Sequence, residues 1–313
     1  MQIKKSNVLI IIVTYNGEKW IRNCLDSIMN SNYLADIFIV DNASIDNTVA
    51  ILDLYEEIKI YKSNVNLGFG KANNLGLTYA LQNDYDYAFL LNQDTWIEKD
   101  TIEDLVAVAQ KQQDFGIISP MHYFSDKISL EYNFSVQLSP WFCKNILSDF
   151  VFRDQKSMKE IYPLNFVNAA AWLLPRRTLE IVGGFDPLFF HYGEDNDYCN
   201  RLKYHKLKIG IAPHAKIYHD CLDSNNKNLD TEKQLRKFEI EQKVALSNIN
   251  LRIKKSNIIG LSLKLLLIAV INFFTFNFKK SKMSFKKCRI VVNSYNGIIT
   301  SRKNNVLSKS NYL

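Results

Sequence analysis

The chain of 313 residues is 47% hydrophobic and 23% charged, a composition that sustains a packed core and excludes a disordered or low-complexity protein. Five cysteines, Cys24, Cys143, Cys199, Cys221 and Cys288, are scattered and form no C-x-x-C pair, which suggests neither a disulfide framework nor a thiolate zinc site and suits a reducing, cytoplasmic compartment. The net charge of +7 is unevenly spread: 13 Lys and Arg and no acidic residue occur from Leu251 onward, whereas the first 250 residues hold 26 basic and 32 acidic side chains. An acidic body therefore carries a basic tail.

The opening MQIKKSNVLIIIVTYNG places two lysines before an apolar run. Val8–Val13 is shorter than the apolar region of a signal peptide, and no small-residue cleavage site follows, so the run reads as the first core strand. Further β-branched runs, Ile37–Asp41, Ile58–Lys62 and Tyr87–Asn92, are separated by segments of helix length with apolar residues at helical spacing, such as Trp20, Cys24, Ile28 and Leu75, Tyr79, Leu81. This alternation predicts an α/β fold with a mainly parallel sheet flanked by helices, whose ligands gather beyond the carboxyl ends of the strands. Thr14-Tyr15-Asn16-Gly17, Asp41-Asn42 and Asn92-Gln93-Asp94 all fall at such ends.

Residues 123–162 are aromatic-rich without clear periodicity and are expected as loops or an insertion facing substrate. A strand is expected over Phe166–Leu174, and a short helix over Arg176–Val182 is closed by Gly183-Gly184. A helix over Glu194–His205 is opened by acidic residues, as favours a helix N-terminus. Two strands, Ile209–Ala212 and Lys216–His219, precede a long helix over about 231–253, and the last thirty or so residues read as weakly structured.

Several motifs could carry chemistry. In Asp41-Asn42-Ala43-Ser44-Ile45-Asp46, Ser44 or Asp46 suits a helix cap, while Asp41 at a strand tip could accept bonds from a nucleobase or ribose. Asn66-Leu67-Gly68-Phe69-Gly70-Lys71 matches neither a phosphate loop nor a dinucleotide fingerprint, yet Lys71 beside a helix start could face a phosphate; a plain turn is the alternative. Asp94 suits a hard divalent ion that shares phosphate oxygens, or else a turn cap. Glu194, Asp195 and Asp197 supply more carboxylate than capping needs, and one of them in a cleft could act as a general base. His191, His205 and His214 have no metal-ligand spacing, which argues against a histidine zinc site.

Together these pieces, in order and spacing over residues 7–220, resemble glycosyltransferase family 2, inverting enzymes with the GT-A fold, including bacterial rhamnosyltransferases. The resemblance implies that residues 1–225 form a catalytic domain, with a nucleotide-sugar half to about 120 and an acceptor half beyond it. Thr14, Tyr15, Asn16, Asp41, Asn66, Lys71, Asn92, Glu194 and Asp197 would contact donor or acceptor. It further implies Asp195 as catalytic base, and Asp94 with His219 as contacts for Mn²⁺ or Mg²⁺. Asn92 stands where the fuller D-x-D motif has Asp, which removes one negative charge and suits a ribose or water contact. The implied donor is a UDP- or dTDP-sugar, dTDP-rhamnose among the candidates, and the implied acceptor a glycan or lipid-linked glycan for a bacterial surface polysaccharide. A sugar nucleotidyltransferase would need a glycine-rich triphosphate loop, which Thr14–Gly17 is not; a non-catalytic scaffold on the same fold is the other alternative.

Residues 226–313 form the tail, with an apolar helix expected over Ile258–Phe278. Lys264, Asn272 and Thr275 interrupt this stretch, and lysines flank both its ends, so a peripheral position at the inner membrane face fits better than a span. Packing on the catalytic domain or on a second subunit is the alternative, self-association is left open, and nucleic acid is not expected as a partner.

Overall fold

The computed structural model describes residues 6–153, 158–220 and 230–313. Lys4, Lys5 and Cys221 lie outside them; Cys24, Cys143, Cys199 and Cys288 are buried free thiols.

In chain order the strands are β1 (Val8–Thr14), β2 (Asp36–Asp41), β3 (Lys59–Lys62), β4 (Tyr87–Asn92), β5 (Thr95–Ile97), β6 (Phe115–Phe124), β7 (Tyr162–Leu164), β8 (Ala171–Pro175) and β9 (Lys208–His219). The helices are α1 (Ile21–Met29), α2 (Thr48–Leu52), α3 (Phe69–Gln82), α4 (Thr101–Lys111), α5 (Tyr132–Gln137), α6 (Ile146–Phe152), α7 (Arg176–Ile181), α8 (Glu194–Tyr204), α9 (Thr231–Ser247), α10 (Lys255–Phe274) and α11 (Phe278–Asn305). The strands form one mixed sheet in the order β3-β2-β1-β4-β8-β6-β9-β5, with β7 also on β9. The β3-β2-β1-β4 half is parallel, β8 runs antiparallel to both β4 and β6, and β6 and β9 are parallel.

Alternation along the central strands divides the core into two layers. Leu9 and Ile11 of β1 join Ala72 and Leu77 of α3 on one face, while Ile10 and Ile12 join Cys24 and Leu25 of α1 and Leu105 of α4 on the other. Both faces are covered, which is why these strands read as continuous apolar runs. A smaller cluster of Leu246, Ile258, Val291 and Ile298, with Leu188 packed against it, seats the tail on the body.

Several expectations change: the long helix expected to about 253 ends at Ser247, and the apolar helix expected over Ile258–Phe278 ends at Phe274. The strand expected from Phe166 begins only at Ala171. The two strands expected over 209–219 form one continuous strand whose register against β6 shifts between Ser119 and Met121, at the place where Pro213 lacks a backbone donor. Nor are the final residues weakly structured: α11 is a helix of 28 residues. Its C-terminal half is fastened by Arg302, which donates to the Leu246, Asn248 and Leu251 carbonyls, and by Asn305, which donates to Asp186.

Candidate active site

Two adjoining hollows open beyond the carboxyl ends of β1 and β4. The first, about 390 Å³, is lined by Tyr15, Asn42, Asn66, Gly68, Asp94 and Arg236 among others; the second, about 450 Å³, by Ala170, Glu194, Asp195 and His219. They share Phe69, Asn92 and His191, so they form one cleft with two lobes, of the size that small-molecule sites occupy.

The first lobe is built from loops whose polar groups bind one another. Gln93 Oε1 accepts hydrogen bonds from Thr14 Oγ1 at 2.6 Å and from the Tyr15 N–H at 3.0 Å, while Gln93 Nε2 donates to the Tyr15 carbonyl. A Cβ on Gly17 would stand 2.3 Å from Gln93 Oε1, so only glycine lets the two loops approach this closely. Asn16 donates its N–H to Ser44 Oγ, and its side chain accepts from the Ile45 N–H. Asp46, not Ser44, accepts from the Thr48 N–H at the start of α2. Asn42 and Asn66 are bonded to each other, and they accept the Leu67 and Gly68 N–H groups respectively. Gly68, at φ +80°, carries the turn under the Phe190 carbonyl, which would meet a Cβ at 2.1 Å. Tyr15 remains exposed on this lobe with its ring available.

The second lobe is held by buried charge. The β5–β9 pairing sets Thr95 opposite His219 and so brings Asp94 beside it. His219 Nε2 lies 3.2 Å from Asp94 Oδ1, and Nδ1 lies 3.2 Å from Glu131 Oε2. Glu131 is buried, which alone would raise its pKa; the hydrogen bond with His219 and the nearby His122 ring, whose Nδ1 lies 3.6 Å from Oε2, hold it down at about 2. Across the lobe, α8 starts after Gly193 with its acidic residues in the first turn. Burial, with the Asp195 charge assisting, pushes Glu194 up to about 7, and its Oε2 is enclosed without a hydrogen-bond partner among the described residues. Burial pushes Asp195 up to about 6.

Asp94 and His219 offer a carboxylate and an imidazole nitrogen to one point, and Glu131 on the far ring nitrogen is the kind of partner that orients a ligating histidine. Among the described residues no three His, Cys, Asp or Glu side chains converge as a metal centre. Two protein donors nevertheless suit a hard divalent ion that takes its remaining ligands from phosphate and water, so the residues present fit such an ion.

Thr14, Tyr15, Asn16, Asn66, Asn92, Asp94, Glu194, Asp195 and His219 are therefore gathered around one cleft, Thr14 and Asn16 as supports of its walls. Three expected contacts are placed elsewhere. Asp41 is buried at the end of β2, where its carboxylate accepts from the Ser44 N–H, and the neighbouring Asn42 faces the cleft instead. Lys71 is exposed on the first turn of α3 and does not line either lobe. Asp197 points into the core, where it accepts from Arg201 Nε at 2.7 Å; Arg201 also donates to the Val182 and Gly184 carbonyls. That one-turn pairing on a helix is a structural role for Asp197. Reading the sequence missed Gln93, Glu131 and Arg236, and only the Gln93 position, inside the strand-end cluster, carried any signal.

Residues 9–160 match the family model described as Glycosyl transferase family 2. The chain is 28% identical over 226 residues to rhamnosyltransferase WbbL of Escherichia coli K12, covering 68% of this chain and 83% of WbbL. Among solved structures it is similar to S. aureus TarS in complex with UDP-GlcNAc, with a TM-score of 0.53 at 12% identity over 95% of this chain and 92% of that one. It is also similar to GalNAc-T7 with UDP, GalNAc and Mn²⁺, with a TM-score of 0.54 at 15% identity over 75% of this chain. This chain spans only 48% of the GalNAc-T7 chain. These two likenesses make the fold GT-A-like.

Proposed function

Because the chain belongs to glycosyl transferase family 2, we propose that its two-lobed cleft performs a metal-assisted, inverting transfer of a sugar from a nucleotide-sugar to a glycan hydroxyl. The observation that carries this reading is the meeting, around one cleft, of the Asp94–His219 pair and the Asp195 carboxylate with its raised pKa. The first lobe takes the nucleoside diphosphate: Tyr15 offers an aromatic face to the base, Asn42, Asn66 and Asn92 offer donors and acceptors, and Arg236 brings a cation toward the phosphates. Asp94 and His219 would hold Mn²⁺ or Mg²⁺, whose positive charge would stabilise the diphosphate as it leaves. Asp195 takes the proton of the acceptor hydroxyl while that oxygen bonds to the anomeric carbon and the carbon–oxygen bond to the diphosphate breaks. A single displacement of this kind inverts the anomeric centre. A carboxylate with a pKa of about 6 is ionised at neutral pH and still basic enough for the task.

The names of relatives favour dTDP-rhamnose or a UDP-hexose as donor, and a lipid-linked glycan of a bacterial surface polysaccharide as acceptor. The test is a panel of nucleotide sugars, with and without Mn²⁺, scored for binding and for free nucleoside diphosphate. Metal-dependent release with at least one donor is expected. A chain that neither binds nor cleaves any donor under either condition would be a scaffold.

A further inference from the structure

The geometry points to an aromatic-tipped helical hairpin, α10 and α11, that inserts its turn into a bilayer of anionic lipid. The two helices are joined through residues 275–277 and are tied by Ser281 Oγ donating to the Ala269 carbonyl and Cys288 Sγ donating to the Ser262 carbonyl. The base of the hairpin is seated on the body through Ile258, Val291 and Ile298. At the far end Phe273, Phe274, Phe276 and Phe278 form edge-to-face contacts around the turn, and all four are exposed, Phe274 by 74% and Phe276 by 82%.

Water is a poor surrounding for this end. Burial of Ile258 and Ala269, with Leu261 and Leu265 partly covered, accounts for one apolar stripe of α10. Ile259, Leu263, Leu266, Leu267, Val270 and Ile271 form a second, exposed one. A helix apolar on both sides requires a second apolar environment. Charge identifies which. Lys279, Lys280, Lys282, Lys286 and Arg289 stand exposed within three turns of the phenylalanines, and no acidic residue occurs from Leu251 to the end. Phenylalanine rings at the acyl boundary with lysines at the headgroups match an anionic interface. The helix is long and apolar enough to cross a membrane, but crossing would strip it from α11 and its hydrogen bonds, so insertion by the tip is the arrangement that keeps the fold.

The orientation also suits the cleft. Lys287 Nζ lies over the Phe238 ring, and Arg302 binds the Leu246 and Asn248 carbonyls at the C-terminal end of α9, so α9 and α11 run parallel. The N-terminal end of α9, with Arg236 at the cleft, therefore points the same way as the hairpin tip.

The test uses the full chain and sedimented vesicles of phosphatidylcholine, with or without phosphatidylglycerol. The wild type is expected to bind the anionic vesicles and to be released by salt. Phe274→Ser with Phe276→Ser should lower the bound fraction roughly tenfold or more, without changing the thermal unfolding midpoint, because both rings are exposed. In a Phe276→Trp variant the added emission should shift to shorter wavelength on anionic vesicles. Wild-type-like binding by the double variant would overturn the proposal. So would absence of vesicle binding together with a stable dimer in sedimentation velocity, which would assign the apolar face to a second copy. Vesicle binding needs no turnover, so it stands or falls apart from the chemistry in the cleft.

Discussion

The two lobes of the cleft are built by opposite means. In the first, Thr14 with Gln93, Asn16 with Ser44, and Asn42 with Asn66 satisfy one another, so the wall is shaped before ligand arrives. In the second, Glu131 and Glu194 are buried carboxylates and Asp195 a partly buried one, the first held down by histidines and the other two pushed up by burial. The contrast separates recognition from reaction. A wall of neutral, satisfied groups costs little and fixes shape, whereas desolvated charge costs stability and yields reactivity.

Mutations in the second lobe should therefore have the larger effects. Asp195→Asn should lower turnover by about 10² to 10⁴-fold while nucleotide affinity, measured calorimetrically, stays near that of the wild type; near-normal turnover would remove Asp195 as the base. The base must be ionised, so kcat/KM should rise with pH through about 6 and then level off, and this limb should vanish in the variant. Just behind the lobe, Arg201→Met strands the buried Asp197 carboxylate and should destabilise the protein by about 3–5 kcal/mol in denaturant melts; a loss below 1 kcal/mol would show that the pair is not what seats α8. Glu131→Gln should weaken Mn²⁺ binding, followed by the manganese EPR signal in the presence of nucleoside diphosphate, by about 10 to 100-fold. Unchanged metal affinity would assign Glu131 to packing alone. The smallest effect belongs to the first lobe: Gln93→Ala removes neutral hydrogen bonds worth about 1 kcal/mol and should weaken nucleotide binding several-fold with little change in kcat. A collapse of kcat there would erase the distinction between the lobes.

The sequence made the parallel half of the sheet legible because β1, β2 and β4 are covered on both faces and so read as apolar runs that end in polar tips. It also marked Asp94, Asp195 and His219, each at the end or start of a regular element. What it could not display depends on partners far along the chain. Glu131 matters through His122 and His219, and Arg236 through the course of α9. Asp197 looked like Asp195 in sequence, but two residues along a helix turn the side chain by about 200°, from the cleft into the core. The helix α11 was hidden because its buried positions Cys288, Val291 and Ile298 are diluted by polar residues, so it gains its stability from the docking surface more than from its own pattern.

The parallel course of α9 and α11 has a consequence for how an acceptor is encountered. With the hairpin tip anchored, the cleft would be restricted to a thin layer above the lipid, and a lipid-carried acceptor would find it by lateral diffusion. Acceptor supply would then be set by surface density, an effective concentration far above the bulk value. Dilution of the lipid phase with detergent should accordingly slow transfer to a lipid-carried acceptor while leaving transfer to a soluble one unchanged.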